Sequence, residues 1–193
     1  MPQLKETPSQ TAGPYVHIGL ATEAAGFNVF PAFGTDIAGP DAAGQRIRIE
    51  GSVLDGEGVP MADALVEIWQ ADGEGCYPDV ATNTGFTGFG RVVPDFSSGD
   101  FAFETVKPGI ADGSADAPHL NLWIVARGVN LGLNTRLYFD DEARANFSDP
   151  VLNLVDPARR KTLIATRSDR EGMPAYRFDI RIQGDKETVF FDV

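Results

Sequence analysis

Histidine and cysteine are scarce in this chain, and their scarcity limits the metal chemistry that it can support. The 193 residues include two histidines and one cysteine, Cys76. A single cysteine forms no disulfide within the chain, and without neighbouring cysteines and histidines it makes no metal site of its own. The sequence also lacks a Ser-His-Asp signature, a phosphate-binding loop, a zinc-ligand spacing and a nucleotide-binding fingerprint. The common hydrolase, zinc and nucleotide sites are therefore excluded.

Basic residues and long apolar runs are scarce as well. With 16 basic residues against 28 acidic ones, the net charge is −12, which repels phosphate backbones and predicts no nucleic-acid partner. No run reaches about 18 apolar residues, so we expect no membrane partner. Residues 1–6 show neither the basic nor the apolar segment of a signal peptide. We therefore expect a globular cytoplasmic protein.

The composition changes at about residue 44. Residues 3–44 are rich in proline, glycine, alanine and threonine and show no sustained alternation, which predicts an extended arm. The apolar residues Phe27, Val29, Phe30 and Phe33 exceed what a disordered tail carries, so the arm should pack on a surface. We expect residues 1–44 to form an N-terminal arm that packs on a partner chain and residues 45–193 to form one domain.

Short segments with strand character recur from residue 45 onward. Apolar residues alternate or cluster at 46–53, 64–70, 101–106, 119–126, 135–139, 175–182 and 187–191. Short helices are predicted at 140–146 and 157–165, the second with Asp156 as N-cap and Pro157 as its first residue. Glycine-rich turns and the absence of helix–strand alternation favour an all-β, mainly β fold. We predict an antiparallel β-sandwich with an extended arm and one or two short helices.

One predicted strand holds a histidine in a pattern related to metal binding. His119 and Asn121 are two residues apart, and residues two apart in a strand point the same way. A His-x-His pair would therefore present two imidazoles to one metal ion, but the neutral amide of Asn121 is a poor ligand. We interpret this strand as the remnant of a metal site. A lone histidine in a strand is more often a hydrogen-bonded structural residue than a metal ligand, so His119 by itself is weak evidence for a site. His17, in the arm, is a weaker candidate still.

Three further side chains are candidates for binding. Tyr77 follows a glycine-rich loop after a strand, where function concentrates, although a half-buried tyrosine bonded through its hydroxyl is the simpler interpretation. Arg127 and Arg136 lie at or near strand ends in apolar surroundings, where a guanidinium needs a carboxylate, a carbonyl or a ligand. An internal ion pair is the simple alternative for both, above all for Arg136, which Asp140 and Asp141 follow closely.

Six segments together resemble one family, the intradiol ring-cleaving dioxygenases. They are residues 7–15 (TPSQTAGPY), 66–72 (VEIWQAD), 105–109 (TVKPG), 117–119 (APH), 135–142 (TRLYFDDE) and 175–184 (AYRFDIRIQG). The resemblance covers almost the whole chain. Some members of the family are built from two types of chain, α and β, and this sequence resembles the α type. It implies a β-sandwich core, an (αβ)n assembly with a homologous β chain, and a non-haem Fe(III) held by two tyrosines and two histidines.

The resemblance also implies which ligands are missing. Tyr77 matches the first tyrosine ligand and His119 the first histidine ligand, whereas Ile110 and Asn121 stand where the second tyrosine and second histidine belong. Asp116 occupies the place of an active-site arginine. Two ligands of four hold Fe(III) weakly, because a hard trivalent ion needs both phenolates and both imidazoles to compete with water. We expect this chain to have no catalytic residue and no metal, with Fe(III) bound by the β chain.

The resemblance gives the chain a part in the neighbouring active site instead. Thr11, Gly13, Pro14 and Tyr15 would form one wall of the substrate pocket of the β chain, and Gly13 would let a ligand approach bare backbone. Arg127 would supply positive potential near the carboxylate of protocatechuate, because a guanidinium bonds a carboxylate through a fork of donors. The implied reaction is cleavage of protocatechuate by O2 to 3-carboxy-cis,cis-muconate.

Two other interpretations stay open at this point. The chain could be a scaffolding or binding β-sandwich with no part in any active site, in which case residues 11–15 would lie against their own domain, far from any partner metal; the Gly13-Pro14 step would then mark a mere turn. It could also be a self-sufficient dioxygenase that uses Tyr77, His119 and carboxylates as a different metal set. Activity of the isolated chain with added metal would support that interpretation.

Overall fold

The computed structural model describes residues 11–13, 15–23, 25–27, 34–61, 63–78 and 85–192. Pro14 and the arm residues Val29, Phe30 and Phe33, which the sequence analysis singled out, lie outside the described residues. Within the described ranges, no helix combines the length and the apolar character needed to cross a membrane.

A single mixed β-sheet of nine strands forms the framework of the described chain. Its strands are β1 (Arg46–Leu54), β2 (Ala64–Trp69), β3 (Phe89–Val92), β4 (Asp100–Val106), β5 (His119–Ala126), β6 (Leu133–Phe139), β7 (Ile164–Arg170), β8 (Met173–Arg177) and β9 (Ile180–Arg181). The strand order is β3-β2-β5-β6-β7-β8-β1-β4, and β9 pairs with β1. The chain thus returns repeatedly to one sheet, as the recurring strand patterns predicted.

Strand β7 connects two halves of this sheet that face each other. Its first residues, Ile164 and Ala165, pair with β6, whereas residues 166–170 pair with β8. The end strands β3 and β4 contact each other, so the sheet curls until it nearly closes. The halves β3-β2-β5-β6 and β8-β1-β4 enclose one apolar core. The prediction of a mainly β sandwich is confirmed.

Alternation along each strand decides which side chains enter the core. In β5, Leu120, Leu122 and Ile124 are buried, whereas His119 and Asn121 face outward and are half-buried. The opposite half contributes a matching set of buried side chains from β1 and β4, namely Ile47, Ile49, Val53, Phe101 and Phe103. Each fully buried side chain of this size stabilises the fold by about 1.5–3 kcal/mol. The outward face of β5 takes no part in this core and is therefore available to form a site.

Three strand pairings are parallel, a departure from a purely antiparallel sandwich: β6 with β7, β1 with β8 and β1 with β9. The predicted strand at 175–182 is divided into β8 and β9 by Phe178 and Asp179. Phe178 lies against β1 at Gly51, where an added Cβ would come within 1.9 Å of the Phe178 carbonyl oxygen. Asp179 accepts a hydrogen bond from the backbone N–H of Ser52 at 3.1 Å, which interrupts the strand.

The helices are short. They are α1 (Val16–Leu20), α2 (Ala143–Ser148) and the 3-10 helices Asp140–Glu142, Leu152–Leu154 and Arg160–Leu163. The helix predicted at 140–146 is confirmed: it consists of the 3-10 helix Asp140–Glu142 followed by α2. The prediction at 157–165 is confirmed only for the 3-10 helix Arg160–Leu163: residues 157–159 form a turn, and Ile164 and Ala165 pair with β6 and start β7. The predicted strand at 187–191 is reduced to a single bridge between Phe191 and Asn134.

The described parts of residues 1–44 lie on the sandwich of the same chain. Ile37 is buried in the main core, and its backbone N–H donates to the carbonyl of Glu104 at 3.0 Å. The carbonyl of Leu20, at the end of α1, accepts a hydrogen bond from Arg91 at 2.9 Å. The boundary at residue 44 and the packing of the arm on a partner chain stay predictions.

Candidate functional site

The register of three strands brings the candidate metal-site residues together on the outer face of the sheet. His119 pairs with Tyr138 of β6, and Asn121 lies between Arg136 of β6 and Trp69 of β2. Paired residues in neighbouring strands have side chains on the same face within contact distance. His119, Asn121 and Arg136 therefore form one cluster, although Arg136 lies 15 residues or more from the others in sequence.

A cavity of about 260 Å³ lies above this cluster. The loops at 71–78 and 109–117 cover it. Its lining residues are Ala71, Tyr77, Gly109, Ala111, Ser114, Asp116, Ala117, His119, Asn121 and Arg136. The structure thus brings together Tyr77, His119 and Asn121, as the resemblance implied. Ile110 is not among the lining residues, and its side chain is 52% exposed.

Asp72 shapes the loop that carries Tyr77. Its carboxylate accepts hydrogen bonds from the backbone N–H groups of Glu74 and Cys76, each at 2.9 Å. Its carbonyl accepts from the N–H of Gly109 at 2.8 Å, which joins this loop to the other one. This Asx-turn delivers Tyr77 to the cavity, where its ring stacks on Trp69 with centroids 5.6 Å apart.

A buried amide fixes the strand ends beneath the loops. Gln70 is fully buried; its Nε2 donates to the carbonyls of Ala71 and Val106, both at 2.9 Å. Its Oε1 accepts from the hydroxyl of Thr105 at 2.8 Å. Because a buried polar group is costly unless it is bonded, these three bonds hold the end of β2 against the end of β4.

The loop at 109–117 is held from the other side by Asp149, which is fully buried. Its carboxylate accepts hydrogen bonds from the backbone N–H groups of Ala117 at 2.7 Å and Leu152 at 2.6 Å. The hydroxyl of Tyr138 donates to it at 3.2 Å. Burial raises the pKa of Tyr138 far above its usual value, so the phenol keeps the proton that it donates. Asp149 therefore fixes the entry to β5 directly before His119.

Arg136 places a permanent positive charge in the cavity. Its guanidinium lies 2.9 Å from the carboxylate of Asp116 and 3.4 Å from the hydroxyl of Tyr138. The internal ion pair expected for Arg136 exists, but its partner is Asp116 rather than the adjacent Asp140 or Asp141. The reason is direction: Arg136 faces the outer side of the sheet, where Asp116 closes the cavity.

His119 is present in one defined tautomer. Its Nδ1 lies 2.8 Å from the carbonyl oxygen of Ala117, which only accepts, so Nδ1 carries the proton. Burial lowers the pKa of His119 below its ordinary value of 6.5. The imidazole is therefore neutral at pH 7, with a bare Nε2.

We expect an NMR titration of the imidazole signals to give His119 an apparent pKa below 6.5. Because the unfolded chain binds this proton at higher pH than the folded chain, stability should fall as the pH falls through and below 6.5. His119→Gln should remove that part of the pH dependence in urea unfolding. A His119 titration above 6.5, or an unchanged pH profile in the variant, would contradict the expectation.

The donor atoms in this cavity do not fit the iron that the family resemblance implies. A four-ligand ferric site needs two phenolates and two imidazoles, whereas the cavity offers one of each with an amide and a guanidinium. The positive charge of Arg136 repels a cation, and its partner Asp116 is already engaged. Across the described ranges, no group of three or more His, Cys, Asp or Glu side chains is arranged to hold a metal.

The second set of predicted site residues lies at the other end of β5. The backbone of Ala12 forms a parallel bridge with Arg127, and the N–H of Gly128 donates to the hydroxyl of Thr11 at 2.8 Å. Gly13 faces open space, with nothing within 4 Å of where a Cβ would be. Tyr15 is 75% exposed. The arm thus meets Arg127, as the resemblance implied, while Pro14 is outside the described residues.

Arg127 is held loosely. Its guanidinium is 3.9 Å from the carboxylate of Asp63, and its side chain is 61% exposed. It lies eight positions along the chain from His119, which at about 3.3 Å per position puts the two residues about 26 Å apart. The chain therefore presents two separate candidate sites, the cavity and the arm cluster of Thr11, Gly13, Tyr15 and Arg127.

Sequence reasoning missed the position of Arg136 in the cavity. The signal was present: Arg136 and Tyr138 are two residues apart in β6 and oppose Asn121 and His119, but only the strand register reveals that pairing. The roles of Asp149 and Gln70 were also missed, since each joins segments that are more than 30 residues apart in sequence, Asp149 through Ala117 and Gln70 through Thr105 and Val106.

Comparison with known proteins finds relatives that are named as dioxygenases or as chains of a dioxygenase. A dioxygenase family model, Dioxygenase_C, matches residues 32–184. The protocatechuate 3,4-dioxygenase alpha chain of Pseudomonas putida is 53% identical over 98% of this chain and 97% of its own length. The alpha chain of the same name from Burkholderia cepacia is 47% identical over the full length of both, and the beta chain from that organism is 32% identical over 75% of this chain and 67% of its own.

Solved structures show the same fold. The dioxygenase domain of a carbohydrate-binding fusion protein from Streptomyces sp. SirexAA-E superposes with a TM-score of 0.63 at 26% identity, covering 93% of this chain and 99% of that one. An intradiol ring-cleavage dioxygenase from Tetranychus urticae gives a TM-score of 0.62 at 20% identity, covering 92% and 94%. The chain belongs to the intradiol ring-cleaving dioxygenase family.

Proposed function

We propose that this chain is the α subunit of a protocatechuate 3,4-dioxygenase that binds no iron and completes the substrate pocket of a homologous β chain. The relatives named alpha chain are similar over nearly the whole of both lengths, and a beta chain is related to the same sequence. The observation that carries the proposal is the separation of the two sites. At about 26 Å along β5, the arm cluster is too far from the cavity of its own chain to share a ligand with it.

In the proposed assembly, each chain has a different task. Fe(III) would be held by the β chain, and when bound there it would supply activation of the substrate toward O2. The guanidinium of Arg127, exposed and weakly paired with Asp63, bonds the carboxylate of protocatechuate. Thr11 is held by Gly128, so that the open backbone at Gly13, together with Pro14 and Tyr15, forms a wall. This chain orients the substrate and excludes water, and O2 cleaves the ring between its two hydroxyl-bearing carbons.

We expect the iron content of the isolated chain to distinguish the proposed function from the interpretation as a self-sufficient dioxygenase. The chain expressed alone should contain no stoichiometric iron and no visible tyrosinate-to-iron absorption band, whereas the co-expressed αβ assembly should contain both. The reason is the donor set: Ile110 and Asn121 stand where the resemblance places the second tyrosine and the second histidine, and Arg136 adds a positive charge to the cavity. Stoichiometric iron with that band in the isolated chain would contradict the proposal.

Arg127→Ala in the αβ assembly should raise the KM for protocatechuate by at least about tenfold, since a charge-assisted hydrogen bond contributes about 1.5–3 kcal/mol. Iron content should stay unchanged. Arg144→Ala is a matched control, because Arg144 is exposed and has no ion pair in the described part of the chain. Steady-state kinetics measure the KM for protocatechuate and for catechol. Because catechol lacks the carboxylate, only the KM for protocatechuate should depend on Arg127.

The scaffolding interpretation is supported by one observation, the contact of residues 11–13 with their own domain at Arg127 and Gly128. It predicts equal KM values for Arg127→Ala and the unmodified assembly. That result would remove Arg127 from the substrate pocket.

A further inference from the structure

Several polar atoms in the cavity at Tyr77 and His119 have no hydrogen-bond partner within the described part of the chain. Nδ1 of His119 is bonded to the carbonyl of Ala117, but Nε2 has no described partner. The side-chain amide of Asn121 is likewise unbonded among the described residues. The described contacts of Arg136 all use Nη1, which leaves Nε and Nη2 available. Half-buried polar groups of this kind are the ones that a bound ligand satisfies.

The charged side chains among the described lining residues cancel. Arg136 and Asp116 pair at 2.9 Å and His119 is neutral, so these residues give the cavity no net charge. A carboxylate ligand would bring a second negative charge beside Asp116, and it has no proton to donate to the bare Nε2 of His119. A cationic ligand would be repelled by the guanidinium of Arg136. The cavity therefore favours a neutral ligand.

The unpaired groups are of two kinds, which together indicate a hydroxyl group on the ligand. Nε2 of His119 is an acceptor and requires a donor, whereas the amide nitrogen of Asn121 and the guanidinium of Arg136 are donors and require an acceptor. A hydroxyl group is both at once. His119 and Asn121 are two residues apart on the outward face of β5, and Arg136 pairs with Asn121 across to β6. The acceptor and the donors therefore lie side by side along the cavity floor.

The size and the other walls of the cavity favour a single aromatic ring. Its volume of about 260 Å³ is several times the share of about 30 Å³ that one water molecule takes. It lies just below the range of about 300–1,000 Å³ that is usual for drug-sized ligands. Ala71, Ala111 and Ala117 form small apolar walls, and the ring of Tyr77, stacked on Trp69, forms an aromatic one. One ring can therefore contact the walls on several sides, whereas a larger ligand has no room.

We propose that this cavity binds a small neutral phenol. The phenol hydroxyl donates to Nε2 of His119 and accepts from Asn121 or Arg136, and the aromatic ring lies beside Tyr77. This inference goes beyond the proposed function, which assigns no ligand to the cavity. It gives the chain a second small-molecule site, separate from the arm cluster, that distinguishes a neutral phenol from an aromatic acid.

Isothermal titration of the full-length chain with three probes of similar size tests the ligand class. Phenol should bind saturably with a dissociation constant of about 1 mM or tighter. Toluene, which has a methyl group in place of the hydroxyl, should bind at least about tenfold more weakly, because the polar groups then stay unpaired. Benzoate should show no saturable binding. Equal affinity for phenol and toluene, tighter binding of benzoate than of phenol, or no saturable binding of phenol would each overturn the proposal.

A matched pair of variants locates the binding. Asn121→Leu keeps the size of the side chain but removes the amide, and the affinity for phenol should fall by about tenfold. Asn134→Leu is the control, because Asn134 also belongs to the outward face of the sheet, on β6, but is not among the described lining residues. It should leave the affinity within about twofold of the original. Equal affinities for the two variants would place the phenol outside this cavity and overturn the proposal.

The hydrogen bond to His119 has a signature of its own in the unmodified chain, which does not depend on whether a variant folds. With ¹⁵N-labelled histidine, the NMR signal of Nε2 of His119 should shift along the same titration curve as phenol binding, and His119→Gln assigns that signal by its loss. Phenol binding without a shift of this signal would overturn the proposal. The proposed function would stand in that case, because it makes no use of the cavity.

Discussion

Replacing Asp149 with alanine is expected to lower the free energy of unfolding by about 3–5 kcal/mol, because removal leaves buried donors unpaired at about 1–3 kcal/mol each. The donors are the backbone N–H groups of Ala117 and Leu152 and the hydroxyl of Tyr138. Ala117 and Leu152 are themselves buried, so bulk water does not replace the lost carboxylate. Equilibrium unfolding in urea, followed by tryptophan fluorescence, measures the change.

Two controls define this expectation. Asp149→Asn keeps the shape and one acceptor oxygen and should cost less than alanine. Asp169→Ala removes a carboxylate that is 74% exposed and 3.9 Å from Arg167, so it should change stability by less than about 0.5 kcal/mol. Equal losses for Asp149→Ala and Asp169→Ala would show that the hydrogen-bond network around Asp149 does not stabilise the fold.

Gly75→Ala is expected to cost about 3 kcal/mol or more, since a left-handed backbone alone costs about 1–2 kcal/mol for a residue with a side chain. Gly75 has φ +85, and an added Cβ would lie 2.1 Å from the carbonyl oxygen of Ile110. That oxygen belongs to the second cavity loop, so the two loops would have to separate. The stacking of Tyr77 on Trp69 should be disturbed, which near-UV circular dichroism detects.

Gly113 is the matched control for Gly75. Its φ of +73 is also left-handed, but nothing lies within 4 Å of the added Cβ. Gly113→Ala should therefore show the backbone cost alone, about 1 kcal/mol. The difference between the two variants measures the close approach of the loops. If both lose the same stability, the contact between Gly75 and Ile110 is not tight in solution.

The sequence pattern predicted strands where one face alone is buried. The bounds of β5 match the prediction at 119–126, because His119 and Asn121 alternate with buried leucines. The helix predicted at 157–165 had a correct start signal, since Asp156 accepts a hydrogen bond from the N–H of Ala158 at 2.8 Å. It was wrong at its end, where pairing with β6 outweighed local preference.

Contacts between distant segments were beyond local reasoning. Nothing near Arg136 in sequence indicates Asp116 as its partner, since the choice depends on which side of β6 faces the cavity. The meeting of Ala12 with Arg127 joins segments more than a hundred residues apart, and only the family resemblance suggested it. The wall residues Thr11, Gly13, Pro14 and Tyr15 stay predictions until the Arg127 experiment is done.

The ion pair between Asp116 and Arg136 has a consequence for biosynthesis. Both members come from the same polypeptide, so the cavity at Tyr77 and His119 is closed by its own chain as soon as that chain has folded. Under the proposed function, maturation of this subunit then requires no imported ion. In a cell starved of iron, it would accumulate in finished form, and metal delivery would limit only its neighbour.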